Sequence, residues 1–432
     1  MFQFQEDFLH LIWKYQYFDK KQLETTQGLL LSIVKIGFHN QHEGPDFKEA
    51  HILMDEINYH GHVEIHLRSS DWKSHKHQSD ERYNSVVLHV VWEHDEEVKR
   101  KDGTSLPTLL LKGRVFLDVV RNYERLLSSP KKILCAEGLS QIPDILKFSM
   151  LEKALIERFH AKSQIVLELL EQNQNDWEET AYQWLFYSFG FRTNKDPMLK
   201  LARSLPYKII KKNAGNLKTL EALLFGQADL IPNLLDFEQD KVNEIRVEYS
   251  FLRKKYPIQP NVHSSEWKFM KVRPINFPTV RLAQLAALLN QSPHIFSAVL
   301  YELQDRKSFE AIFELTVSAY WKEHYHFGKS NKKKSSGKLS TAVLDLLAIN
   351  FVIPLWYAYG RYVDLMDWQE KCFNFLQEIP PEENSIIDLF REENWPALNA
   401  FDTQGMLGLY REYCNQRKCL NCKIGQNLLR PQ

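Results

Sequence analysis

Apolar and polar positions change rhythm along the chain near residue 115. Residues 5–18 set Phe8, Leu9, Leu11, Ile12 and Trp13 among polar neighbours, which predicts a helix. Leu29-Leu30-Leu31-Ser32-Ile33-Val34 is a short, nearly all-apolar run ending before Gly37, with the length of a buried strand. Gly44-Pro45-Asp46 is turn chemistry, and residues 48–55 read as a second strand. In the segment from His60 to Arg68 the residues alternate. Val63, Ile65 and Leu67 take one face; His60, His62, Glu64, His66 and Arg68 take the other. Residues 71–83 are polar and irregular. Val86 to Trp92 is another strand, and a charged turn with Asp102-Gly103 leads to an expected hairpin partner at 106–112.

Beyond 115 the rhythm is helical. Residues 145–170 carry Ile145, Leu146, Phe148, Leu151, Leu155, Ile156 and Phe159 at helical spacing. Further helices are expected near 176–189, 216–225, 238–255, 279–290, 340–349, 361–376 and 400–414, with breaks at Pro, Gly and Asn clusters. The predicted fold class is an α/β domain with a mixed sheet over residues 1–115, followed by a large all-α domain over 116–432. Lys329 to Lys338 holds five lysines and no apolar residue, and reads as a flexible loop.

Composition adds exclusions. The chain has 432 residues, 44% of them hydrophobic, an ordinary balance for a globular protein of two or three units. Lys+Arg and Asp+Glu are both 55, which excludes a global basic field for nucleic acid and leaves room only for a local patch. The start, Met-Phe-Gln-Phe-Gln-Glu-Asp, lacks a basic region followed by an apolar run. No stretch is expected to approach the ~18 apolar residues of a membrane-spanning helix. The five cysteines do not suggest a disulfide framework. The expectation is a cytoplasmic protein with no membrane contact.

The candidate chemistry concentrates between Gly44 and His66. Asp46 precedes the second strand, and Glu64 and His66 share one face of the third. Carboxylates on adjacent strands can share a hard cation such as Mg²⁺ or Mn²⁺. Such a cation activates water and neutralises a developing phosphate charge, and a basic group beside it orients or deprotonates that water. His75, His77 and Asp80 raise the local density. With His60, His62 and His66 they form an alternative zinc ligand set, since imidazole suits Zn²⁺. The expected metal residues are therefore Asp46, Glu64, His62, His75 and His77, and the expected catalytic ones Asp46, Glu64 and His66. The competing reading of this polar face is the solvated side of a half-covered sheet. His89, Trp72 and Trp92 read as core residues.

Pro45-Asp46 … Glu64-Ile65-His66 resembles the PD-(D/E)xK nuclease core, with His66 in the place of Lys. The resemblance covers roughly residues 5–95. It implies that Asp46 and Glu64 bind a divalent metal and that His66 assists the water. A titrating imidazole there replaces a fixed cation. The whole chain also resembles a bacterial, Bacteroidetes-type domain-of-unknown-function family, through Gly44-Pro45-Asp46-Phe47, Val63-Glu64-Ile65-His66-Leu67, Asp71-Trp72, Leu88 to Trp92, Arg273-Pro274 and the terminal cysteines. That resemblance implies no activity.

Three cysteines, Cys414, Cys419 and Cys422, sit at C-x4-C-x2-C spacing, and close thiolates suit zinc or an iron–sulfur cluster. Three are one short of a closed site. Cys135 is the candidate fourth; Cys372, in a helical aromatic stretch, reads as a buried core thiol. For nucleic acid, the candidates are Lys332, Lys333 and Lys334 in the lysine loop, with Arg273 and Arg281 flanking a helix start that Thr279 is placed to cap; for the two arginines, structural pairing with acidic neighbours is the favoured alternative. The functional expectation is a metal-dependent nuclease or phosphodiesterase. Its rivals are a non-catalytic scaffold with a structural metal, and a zinc-dependent hydrolase.

Overall fold

A computed structural model describes residues 5–40, 42–232, 239–331 and 334–431. The chain divides into two compact units. The first comprises Met1–Glu152, Asp388–Trp395 and Leu407–Gln432; the second comprises Lys153–Ile387 and Pro396–Met406. The expected boundary at 115 gave the cysteine segment to the helical part. Here it groups with the sheet, because Cys419, Leu420 and Leu429 pack into the same apolar core as Phe8, Ile12, Val63 and Ile65. Period-based reading cannot detect such a return.

The first unit opens with helix α1 (Glu6–Tyr15). Its apolar residues Phe8, Leu9, Leu11, Ile12 and Trp13 are all buried. The sheet contains β1 (Leu31–Lys35), β2 (Phe38–His39), β3 (Phe47–Met54), β4 (Ile57–Arg68), β5 (Val86–Glu93) and β6 (Thr108–Leu110). Its order is β1-β3-β4-β5-β6, with β2 also paired to β3. Pairing is antiparallel from β1 to β4 and parallel for β4–β5 and β5–β6, so the sheet is mixed as expected. The expected hairpin between β5 and 106–112 is not formed. Residues 94–107 make an excursion, with Lys99 bridged to Ser105, and return the chain parallel to β5. β4 and β5 approach closely at Gly61, where a Cβ would stand 2.4 Å from the Ser85 carbonyl oxygen. Only glycine fits that contact.

The polar connection 71–83 folds into a short helix, α2 (Asp71–Ser74), and two 3₁₀ turns, His77–Ser79 and Glu81–Tyr83. Trp72, Tyr83, Val86, Val98 and Leu106 form a small core of their own there. Trp72 is thus a core residue, as expected.

The second unit is helical around one large core. Its run Thr341–Val363 is long and apolar enough by composition to cross a membrane, with mean hydropathy 1.6 over its 18-residue apolar window, yet 67% of that window is buried within the protein. Sequence reading placed a helix over 340–349 and found no stretch of membrane-spanning length, whereas the helical run here is 23 residues long. A π turn at Ala348–Val352 carries the helix through Pro354. Cys372 is fully buried and its Sγ donates to the Ile353 carbonyl oxygen, fitting the expected core role. At the start of the lysine-rich segment, Lys329–Ser330 pairs with His324–His326 as a two-stranded ribbon.

Candidate metal centre

The register of the β3–β4 hairpin decides which side chains meet. Met54 pairs with Ile57, leaving a two-residue turn of Asp55 and Glu56, both at positive φ (44° and 70°). That is the turn whose twist matches a right-handed hairpin. From Met54 back to Ala50 the partners run in simple sequence, Ala50 opposite Gly61. Then β3 gains one residue: Phe47, not Lys48, opposes Val63, and Glu49 takes a left-handed φ of 58°. This bulge re-aims the strand end. Asp46 is brought beside Glu64, and the Asp46 amide donates to Glu64 Oε2 at 3.1 Å. The Ile65 amide in turn donates to Asp46 Oδ2 at 2.9 Å.

Alternation on β4 does the rest. Val63 and Ile65 enter the core shared with α1, while Glu64 and His66 face the layer made by 71–83. That layer covers them. His66 is 0% exposed and Glu64 4%, so this part of the strand is not a solvated face. His66 Nε2 lies 3.2 Å from His75 Nδ1 and 3.5 Å from Glu64 Oε1, and His77 Nε2 lies 3.2 Å from Glu64 Oε1. One donor atom from each of His66, His75 and His77 falls within 4.8 Å of the others. His75 is exposed and places the cluster at the surface.

A second group adjoins it. Glu6 and His10 stand one helical turn apart on α1, and His10 Nε2 is 3.3 Å from Asp46 Oδ2 and 3.8 Å from Glu6 Oε1. Glu6, His10 and Asp46 form a second set with donors within 4.8 Å. Sequence reading missed Glu6 and His10. Their signal was present, a Glu/His pair at i,i+4 on a helix leading into the sheet, but nothing in the spacing says which helix face meets Asp46.

Three carboxylates thus have imidazoles as their ion-pair partners. Among the described residues, the ion pairs of Glu6, Asp46 and Glu64 are all to histidine. Burial and the Asp46 charge push the Glu64 carboxyl up, and the same two causes raise Glu6 to about 7. Burial and the neighbouring His89, His77 and His75 push His66 down, and burial brings His89 to about 3. Burial lowers His77 as well. For His10, burial acts downward but the Asp46 bond and charge prevail and raise it. His66 is therefore neutral. Its Nδ1 is 2.8 Å from His89 Nε2. With the proton on Nδ1 and donated to His89, the Nε2 lone pair points at the cluster, the form a metal ligand needs.

Other expected residues stand apart. His62 is not brought to this cluster; its Nδ1 accepts from the Glu49 amide at 3.3 Å, tying down the bulge. His60 stacks on His51, and Asp80 pairs with Arg82. Lys332 and Lys333 lie outside the described residues. Lys334 pairs with Glu323 at 2.6 Å. Arg273 is exposed, whereas Arg281 is buried and bonds the Gln284 and Asn276 amides rather than acids. Thr279 does not cap its helix, which starts at Pro278; its hydroxyl donates to the Tyr325 carbonyl oxygen at 2.6 Å.

The four expected cysteines share one environment. Burial, then Cys422 and Cys419, push the Cys135 thiol up; burial, then Cys135, Cys422 and Cys419, push Cys414 up. Burial and Cys422 bring Cys419 to about 12. Cys422 precedes a short helix, Lys423–Leu428, where Gly425 lies against the Cys419 carbonyl so closely that a Cβ would stand 2.2 Å from it.

No curated protein and no solved structure matches the chain. A family model described as Protein of unknown function (DUF2851) matches residues 6–385, nearly the whole chain, and the protein belongs to that family.

Proposed function

We propose that this protein is a metal-dependent hydrolase acting on phosphodiester bonds, with nucleic acid as the substrate class. One observation carries the reading: three imidazoles and the Glu64 carboxylate converge on one volume, beside a second group made by Glu6, His10 and Asp46. Four donors drawn together at the edge of a buried layer repel or compete for protons unless a cation joins them. The imidazole content favours zinc or manganese over magnesium. His66, His75, His77 and Glu64 hold the first ion, and His89 fixes the His66 tautomer from behind. Glu6, His10 and Asp46 offer the second place. A bound cation supplies an acidified water and neutralises charge on the phosphodiester.

His66 takes the role of ligand in this reading, not that of general base, because both its ring nitrogens already face other groups. His10, raised and half-sheltered beside Asp46, is the better proton carrier. The likeness of Pro45-Asp46 … Glu64-Ile65-His66 to the PD-(D/E)xK pattern supports the choice of phosphodiester. The full burial of His66 and His89 favours a second reading, a structural metal in a binding scaffold.

The test uses full-length protein loaded with Zn²⁺ or Mn²⁺ and offered single- and double-stranded DNA and RNA, and bis(p-nitrophenyl) phosphate. Turnover is expected, falling at least a hundredfold in Asp46→Ala and Glu64→Ala, on the order of a lost ligand or charge at a metal site. Stoichiometric metal with no turnover on any substrate would establish the scaffold instead. Turnover undiminished in both variants would sink the site.

A further inference from the structure

The second unit contains a cavity of about 350 Å³ whose polar walls are cationic. Arg192, Lys271, Arg273 and Arg281 line it, and no Asp or Glu does. The first three are exposed, so they form its mouth. Phe191, Met198, Val343 and Leu346 supply apolar wall.

Arg281 is the unusual member. It is 3% exposed, and the only bonds of its guanidinium among the described residues are to the neutral amides of Gln284 and Asn276. Its Nε is buried without a partner. Phe191 lies under the guanidinium at 4.9 Å, which supplies a π face but no charge. Buried arginines are ordinarily matched by a carboxylate or other anion, because an uncompensated charge in a low dielectric is costly. Burial alone lowers this guanidinium to about 10, with no acid opposing the shift. None of the four cations forms an ion pair among the described residues. The helix Pro278–Gln291 also begins on this wall, adding the positive end of its dipole.

We propose that this cavity binds a phosphorylated small molecule of mononucleotide size, with its phosphate held by Arg281 and the three mouth cations and its body against the apolar wall. A guanidinium already oriented by two amides is suited to a bidentate oxyanion. The volume falls at the lower end of ordinary small-ligand sites and is too small for a duplex. The same phosphate can come from a free mononucleotide or from the end of a nucleic-acid strand. This site is independent of the metal reading: neither Glu64 nor any cluster histidine lines it.

Calorimetric titration of the full chain with inorganic phosphate, with AMP and with a 5′-phosphorylated oligonucleotide tests the idea. AMP is expected to bind more tightly than phosphate, and Arg273→Ala to weaken it by about tenfold or more, the size of one lost charged hydrogen bond. Arg281→Lys, which keeps the charge and loses the fork, is expected to weaken AMP similarly. Because Arg281 is buried, Arg192→Ala and Arg273→Ala serve as surface variants whose folding is checked by circular dichroism. Preference for the oligonucleotide over AMP would identify a strand end as the source. Failure of all three ligands to bind, or binding unchanged in well-folded Arg273→Ala, overturns the proposal.

Discussion

His89 illustrates how one residue's role follows from its partners. It is fully buried, held near 3, and in contact with His66 Nδ1 at 2.8 Å. On the metal reading proposed above, a residue so placed would orient a ligand without touching the ion. His89→Ala is expected to weaken zinc about 10- to 100-fold, measured by competition with a chromophoric chelator; unchanged affinity would remove it from the site. Glu6 makes a prediction of a different kind. Its carboxyl is raised to about 7, so the folded protein keeps a proton that the unfolded chain has released. The corresponding stability is complete below the usual carboxylate range and is lost as the pH rises through about 7. Glu64 acts in the same direction at higher pH. In metal-free protein the melting temperature should fall by a few degrees between pH 5.5 and 8, and Glu6→Gln should flatten that fall. A slope identical in the variant would contradict the assignment. Asp46, Glu64, His66, His75 and His77 were all legible as candidates because acid and imidazole density is visible in the chain. His62 was misjudged because strand alternation does not reveal a bulge, and the bulge bends its imidazole onto the Glu49 amide.

At the level of elements, the hairpin is the part that aims the chemistry. Its turn holds two non-glycine residues at positive φ, and Glu56, at 70° and exposed, carries the strain. Glu56→Gly is expected to stabilise the protein by about 1 kcal/mol, read from denaturant unfolding. A loss of stability would mean that the side chain contributes something its exposure does not suggest. Sequence periodicity located β4 and β5 well, because their apolar alternation is regular. It mistook the β5–β6 connection for a hairpin, because the Asp102-Gly103 turn is real but closes only the local Lys99–Ser105 bridge. α1 was found, yet its service to the site was not: a helix's apolar face is written in its sequence, and the rim that meets another element is not.

For the molecule as a whole, the cysteines tie distant parts of one unit together. Cys135 and the 414–422 segment approach each other beside the α1 core, with Tyr15 of α1 donating to Gln426 at 2.9 Å. Burial and neighbouring thiols push Cys135, Cys414 and Cys419 upward, and thiols so placed release their protons readily only to a bound cation. Zinc or an iron–sulfur cluster bound at Cys135, Cys414, Cys419 and Cys422 should survive anaerobic purification and register in metal analysis, with visible absorbance distinguishing a cluster from zinc. A colourless, metal-free protein would end the idea. Spacing made these four readable in advance; the company they keep with the sheet was not, since nothing local marks where a chain turns back.

The segmented composition of the first unit also governs its order of assembly. Cys419, Leu420 and Leu429 fill the same core as Phe8, Ile12 and Trp13. On a ribosome the sheet emerges early, but the side chains that complete its interior are made only after the helical unit has been threaded through. During that interval the nascent chain carries an apolar scar with nothing yet available to close it, and domains in this condition are the ones chaperones attend and aggregates recruit. The helical unit, nearly contiguous in the chain, is under no such delay. The half that was begun first is the half that must finish last.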